Sequence, residues 1–188
     1  MEEKKISGFC KSAANELVQV MNKVNEEQLQ AVAQALYSAR RIFTLGGGRE
    51  GLMVRALTMR LMHLGKQAYW IWDDTTPSIG EGDVLFVATG SCTGGVLLHI
   101  TKTAKEHGAK IVLVTADNHG PVGAYADITA FVPAAAYLAS GDLVPTVQMM
   151  GSLFEQSLLV IFDSLASVLR DMLGETVQST EKRHRNVE

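Results

Sequence analysis

Five short apolar runs, each nearly unbroken, recur through the middle of the chain and restrict its fold more than any other feature. They are Ile42-Phe43-Thr44-Leu45, Ala68-Tyr69-Trp70-Ile71, Val84-Leu85-Phe86-Val87-Ala88, Ile111-Val112-Leu113-Val114 and Ile128-Thr129-Ala130-Phe131-Val132. A strand with one wet face alternates apolar and polar residues, whereas a strand covered on both faces reads as a continuous apolar run. Helical segments lie between the runs, near 50–65 and 94–107, with a short one near 121–126. Strand and helix in alternation, joined by right-handed crossovers, predict an α/β fold: a three-layer, doubly wound, five-stranded parallel sheet.

Helices are expected on both sides of this core. Leu17, Val20, Met21 and Val24, then Leu29, Val32, Ala33 and Leu36, recur at three- and four-residue steps. Asn25 divides the two sets as an N-cap, with Gln28 three residues on as its capping-box partner. Residues 151–173 carry a wide apolar arc that includes Leu153, Phe154, Leu158, Ile161 and Phe162, so this helix should be buried on more than one side. The 188 residues suit one hydrophobic core. With no repeat or linker, one domain over 1–188 is expected: N-terminal helices over 1–40, a sheet core over 41–133 and C-terminal helices over 146–188.

Several function classes are disfavoured. The net charge is −3, which gives no electrostatic footprint for nucleic acid. The apolar stretches are broken by polar residues well short of the roughly 20 needed to span a membrane. Met1 to Lys5 is charged with no apolar segment behind it, so no secretory signal is expected. The two cysteines, Cys10 and Cys92, fit a reducing compartment, and the cytoplasm is the expected location. Neither pairs with a histidine at metal-ligand spacing, so no structural zinc is expected, and no cofactor is assigned.

In an open α/β sheet a ligand sits outside the carboxyl ends of the strands, where strand order reverses. Two loops fit that place. The first, Gly46-Gly47-Gly48-Arg49-Glu50-Gly51, follows a strand and opens a helix. Its glycines permit close approach, its backbone N–H groups favour an anion, and Arg49 adds a fork of donors. Gly46, Gly48 and Gly51 also satisfy G-x-G-x-x-G, with Asp73 or Asp74 available as the acidic residue of a dinucleotide site. The second loop is Thr89-Gly90-Ser91-Cys92-Thr93-Gly94-Gly95, in which Ser91 and Thr93 can donate to phosphate. A dinucleotide explains only the first loop, and a phosphorylated small molecule explains both.

Glu155 stands on the apolar C-terminal helix. A carboxylate there is either paired as a structural element or poised as a general base, and the residues alone leave both open. Asp163, two turns on, reads as structural. No base is assigned to Cys92, and composition selects none of the five histidines as catalytic.

Gly46 to Arg49, the Arg60-Leu61-Met62-His63-Leu64-Gly65 segment, Thr76-Pro77 with Gly82-Asp83, Gly90-Ser91, Gly151-Ser152-Leu153-Phe154-Glu155-Gln156 and the terminal Arg183-His184-Arg185-Asn186-Val187-Glu188 together resemble the sugar isomerase (SIS) domain family. The last two are similar to its 6-phospho-3-hexuloisomerase branch. That resemblance implies a flavodoxin-like five-stranded sheet, a homotetramer with active sites at subunit interfaces, and metal-free isomerisation of a sugar phosphate through an enediol. It implies Glu155 as the base and His184 as its partner, with Gly47, Gly48, Arg49, Ser91 and Thr93 holding substrate. A non-catalytic phosphosugar sensor is the alternative. Two departures fall on the phosphate loops: Glu50 stands where the family usually has Ser, and Gly94 where a Thr is expected. A carboxylate next to phosphate repels it unless it points away.

Overall fold

The computed structural model describes residues 5–187. Two helices open the chain, α1 (Ile6–Met21) and α2 (Glu26–Ser38). The core follows as β1 (Ile42–Gly46), α3 (Gly48–His63), β2 (Ala68–Trp70), β3 (Val84–Thr89), α4 (Gly95–Glu106), β4 (Lys110–Thr115), a 3₁₀ turn over Pro121–Tyr125 and β5 (Ile128–Phe131). The chain ends in α5 (Ser152–Met172) and α6 (Val177–Glu181).

All five strands are parallel, in the order β2-β1-β3-β4-β5. The five apolar runs expected from sequence are therefore the strands of one doubly wound sheet. The inner β1, β3 and β4 are covered on both faces, whereas the edge strands β2 and β5 are only partly buried. Alternate residues of each strand enter different layers. Ile42, Phe86, Val112 and Val114 pack with α2, α3 and α5, whereas Phe43, Leu85, Val87, Ile111 and Leu113 pack with α4 and the 3₁₀ turn. Phe86 meets Phe162 of α5 edge to face, ring centroids 5.3 Å apart, a geometry worth roughly 0.5–1.5 kcal/mol beyond burial.

Asn25 caps α2 as expected, its side chain accepting from the Gln28 N–H at 3.0 Å. The reciprocal half of the capping box is absent. The Gln28 side chain instead accepts from the Phe131 N–H at 2.9 Å, which ties α2 to the edge strand β5. An edge strand has unpaired backbone donors, and Gln28 satisfies one of them.

Residues 133–151 form no regular element beyond one bridge, Ala134 to Val144. The C-terminal helical part thus starts at Ser152, not at 146, because Gly151 adopts a left-handed backbone (φ +79°) that ends the irregular segment and starts α5. Buried Glu16 of α1 holds this segment by accepting from Thr146, the Val147 N–H and Gln148.

α5 corrects one expectation. Its best 18-residue window has a mean hydropathy of 1.4, so by length and composition alone it is apolar enough to cross a membrane. Packing explains that composition, since 56% of the window is buried, and α5 lies against α1, α2 and α3.

Candidate active site

Strand order reverses between β1 and β3, so the loops after these strands diverge and leave a crevice. Three helices begin there: α3 at Gly47, α4 at Gly94 and α5 at Gly151. None has a side-chain cap, whereas α2 and α6 both do. First-turn N–H groups without intrahelical partners are donors for an anion, and glycine caps leave them accessible. Gly48 is exposed with φ +49°, a conformation that favours glycine. In the second loop the Ser91 and Thr93 hydroxyls are 2.9 Å apart, and Thr93 is exposed.

Gly90 is the tightest point of the crevice. A Cβ built there would lie 2.7 Å from the Ala136 Cβ, 3.1 Å from the Glu50 Oε1 and 3.3 Å from the Phe154 ring. The second loop, the segment after β5, α3 and α5 therefore converge on one backbone position that only glycine fits.

Arg49 reaches from α3 to α5. Its Nη1 donates to the Ser152 Oγ at 3.0 Å and stands 2.9 Å from the Glu155 Oε2. Glu155, in the first turn of α5, is 9% exposed. Burial pushes its carboxyl above the ordinary carboxylate range, and the Arg49 charge pulls it part of the way back. The Oε2–Arg49 contact is close but not aligned as a hydrogen bond, and Oε2 has no other partner. A buried carboxylate held beside a guanidinium, with its ionised form disfavoured by burial, is a candidate general base.

Glu50 was overlooked by sequence reasoning except as an obstacle to phosphate. It reaches the second loop, with Oε1 accepting from the Gly90 N–H at 2.8 Å. Burial raises its carboxyl to about 7, the Gly90 N–H opposing and Glu155 reinforcing the shift. Its position immediately after Arg49 was the available signal, but its direction depends on a rotamer that sequence does not specify.

The structure brings Gly47, Gly48, Arg49, Ser91, Thr93 and Glu155 to this end of the sheet and leaves His184 elsewhere. His184 stacks on His63 with ring centroids 5.2 Å apart. His63 ends α3, fourteen residues beyond Arg49, or about 21 Å along the helix. Arg60, Asp163 and Arg170 line a cleft of roughly 400 Å³ with these histidines. A second cleft, of roughly 490 Å³, opens on the β2 side of the first loop against Trp70, Trp72 and Leu97. Cys92 is buried with φ +55°, and its sulfur lies 3.4 Å from the Thr115 Oγ1. Burial raises the thiol above its ordinary value, which suits packing and not nucleophilic attack.

A parallel sheet with two glycine-rich loops at its switch point and a buried carboxylate beside them defines an α/β protein with a crevice suited to a small anionic ligand. Residues 35–159 match the SIS domain, and the chain belongs to the SIS domain family. It is 36% identical to the 3-hexulose-6-phosphate isomerase of Mycobacterium gastri over 174 residues, 93% of this chain and 87% of that protein. It is 31% identical to the Bacillus subtilis enzyme of the same name over 98% of this chain and all of that protein. The fold superposes with a TM-score of 0.82 and 27% identity on a Methanococcus jannaschii protein whose structure was taken to imply 3-hexulose-6-phosphate isomerase, covering 95% of this chain and 98% of that one.

Proposed function

We propose that this chain is a sugar-phosphate isomerase that interconverts 3-hexulose 6-phosphate and fructose 6-phosphate through an enediol. The observation that carries the reading is Glu155: a buried carboxylate, charge-balanced by Arg49, at the crevice between the two glycine-rich loops. The relatives of that name, matched over nearly the whole chain, support the choice of substrate. Because Arg49 is engaged on α5, phosphate is held by the backbone of Gly47 and Gly48, the first turn of α4, Ser91 and Thr93. Glu155 takes the proton from the hydroxyl-bearing carbon and returns it to the neighbouring one, a transfer that needs no metal or cofactor. The location is cytoplasmic.

The test is turnover. The purified protein, offered a panel of hexulose 6-phosphates and pentulose 5-phosphates, should form fructose 6-phosphate from the 3-hexulose at a rate well above the others. Turnover of no sugar phosphate refutes the reading. Thermal stabilisation without turnover would place the chain with non-catalytic phosphosugar sensors.

The site is completed by a second copy of the chain in a homotetramer. Leu52, Met59 and Met62 on α3 and Leu159 and Val160 on α5 are exposed apolar side chains suited to an interface between copies. Such packing would bring His184 of one copy to Glu155 of another. Mixed oligomers of Glu155→Gln and His184→Ala should then regain turnover that neither variant has alone. No recovery after subunit exchange would mean that His184 acts only within its own chain or not at all.

A further inference from the structure

Isomerisation of a hydroxyketone moves two protons, one between carbons and one between oxygens. Glu155 accounts for the first. The structure holds a second carboxyl for the other.

Glu50 leaves the first turn of α3 and passes beneath the second loop. The Gly90 N–H fixes its Oε1 at 2.8 Å, and Gly90, Phe154 and Ala136 meet at the same point. Its Oε2 makes no hydrogen bond among the described residues and is not sealed from solvent. Two titratable groups face it: Glu155 from α5 and the Cys92 thiol from the second loop. Arg49 is already committed to Glu155 and Ser152. Two carboxyls thus share one crevice, and its cation belongs to Glu155. In such a pair the group with the counter-charge ionises first, and the group without it keeps its proton, so one serves as base and the other as acid. The rise of the Glu50 carboxyl to about 7 agrees with this division.

We propose that Glu50 is a second catalytic acid–base residue, which carries the hydroxyl proton between the two substrate oxygens while Glu155 carries the carbon proton. The inference rests on the isomerase reading above. In the first half, the Glu155 carboxylate removes the proton from the hydroxyl-bearing carbon. The C–H electrons form the C=C bond, the carbonyl π electrons move to oxygen, and that oxygen takes the proton of Glu50. The product is a neutral enediol beside ionised Glu50 and protonated Glu155. In the second half, Glu50 takes the proton of the other hydroxyl, its O–H electrons form the new carbonyl, and the C=C electrons take the proton of Glu155. Both residues return to their starting states, and no oxidant or reductant is needed.

Glu50→Gln keeps the length of the side chain and an oxygen for the Gly90 N–H but has no proton to give. Its kcat on the preferred hexulose phosphate should fall roughly 100-fold or more, with KM within about threefold of wild type and the thermal midpoint not lowered. A kcat within threefold of wild type overturns the proposal while leaving the isomerase reading intact, whereas an inactive wild type overturns the reading itself. The wild-type pH profile is a second test that needs no variant. Glu50 must enter protonated in either direction, so kcat/KM should fall about tenfold per unit as pH rises above about 7. A flat profile from pH 7 to 9 overturns the proposal. Glu50→Ser, which removes the carboxyl, should be no more active than Glu50→Gln, and a faster Ser variant overturns it too.

Discussion

Replacing Glu155 with glutamine should lower kcat roughly 10²–10⁴-fold with KM nearly unchanged, the loss expected when a positioned general base is removed. The amide fills the same space at the start of α5 and cannot accept the carbon proton. Arg49 keeps its bond to the Ser152 Oγ, so the crevice keeps its shape. Stability separates this role from a structural one. Burial raises the Glu155 carboxyl, so the fold disfavours its ionised form. That contribution is favourable below the unfolded value of 4.5 and is lost as pH rises through the higher folded value. At pH 8 the glutamine variant should therefore unfold at a temperature no lower than wild type. A matching measurement is deuterium uptake from D₂O into the substrate carbon, which should fall in step with kcat. If kcat stays within tenfold of wild type, Glu155 is not the base.

The inner strands were legible because burial on both faces leaves a simple mark. Phe86 and Leu85 face opposite layers, yet both are fully buried, so no polar residue interrupts the run. The break at Asn25 was legible for a local reason, a side chain capping the backbone three residues on. The path of 133–151 was not. It depends on Glu16, more than a hundred residues away, whose carboxyl would be raised by burial but is held below its ordinary value by the Val147 N–H, Gln148 and Thr146. Nothing in a helical period distinguishes that glutamate from a solvated one.

At the site, the glycines announced the two loops because they answer to backbone geometry. The acid–base residues were only half legible. Glu155 was visible as a charge in an apolar helix, but its pairing with Arg49 was not. Glu50 read as a clash because proximity in sequence suggested proximity to phosphate. One rotamer choice sends it to Gly90 instead. His184 shows a different limit. Its sequence neighbourhood carried the family resemblance, but its place beside His63 says nothing of where a second copy would bring it.

Asp83→Asn should lower stability by about 2–3 kcal/mol at pH 7 without changing kcat. The Asp83 side chain is fully buried immediately before β3, and it accepts from Arg40, Arg41 and the Gly80 N–H. Arg40 and Arg41 immediately precede β1, so this carboxylate clamps the starts of the two central strands, where Ile42 pairs with Val84. Removing one member of a buried ion pair costs about 3–5 kcal/mol when the other is left buried. Here the guanidinium groups keep some solvent, with side-chain exposures of 59% for Arg40 and 20% for Arg41, so the loss should be smaller. Burial acts to raise the Asp83 carboxyl, but hydrogen bonds from Arg41, Gly80 and Arg40 prevail and hold it below its ordinary 3.8. The stabilisation is therefore fully present above pH 3.8 and declines as pH falls through the lower folded value. Urea unfolding should give the same gap between wild type and variant at pH 7 and pH 5, and a narrower one near pH 3. An equal gap at all three would mean that lost shape, not lost charge, destabilises the variant, and a gap under about 0.5 kcal/mol at pH 7 would show that the clamp is dispensable. The clamp lies at the strand starts and the crevice at the strand ends, so folded Asp83→Asn protein should turn over substrate at the wild-type rate.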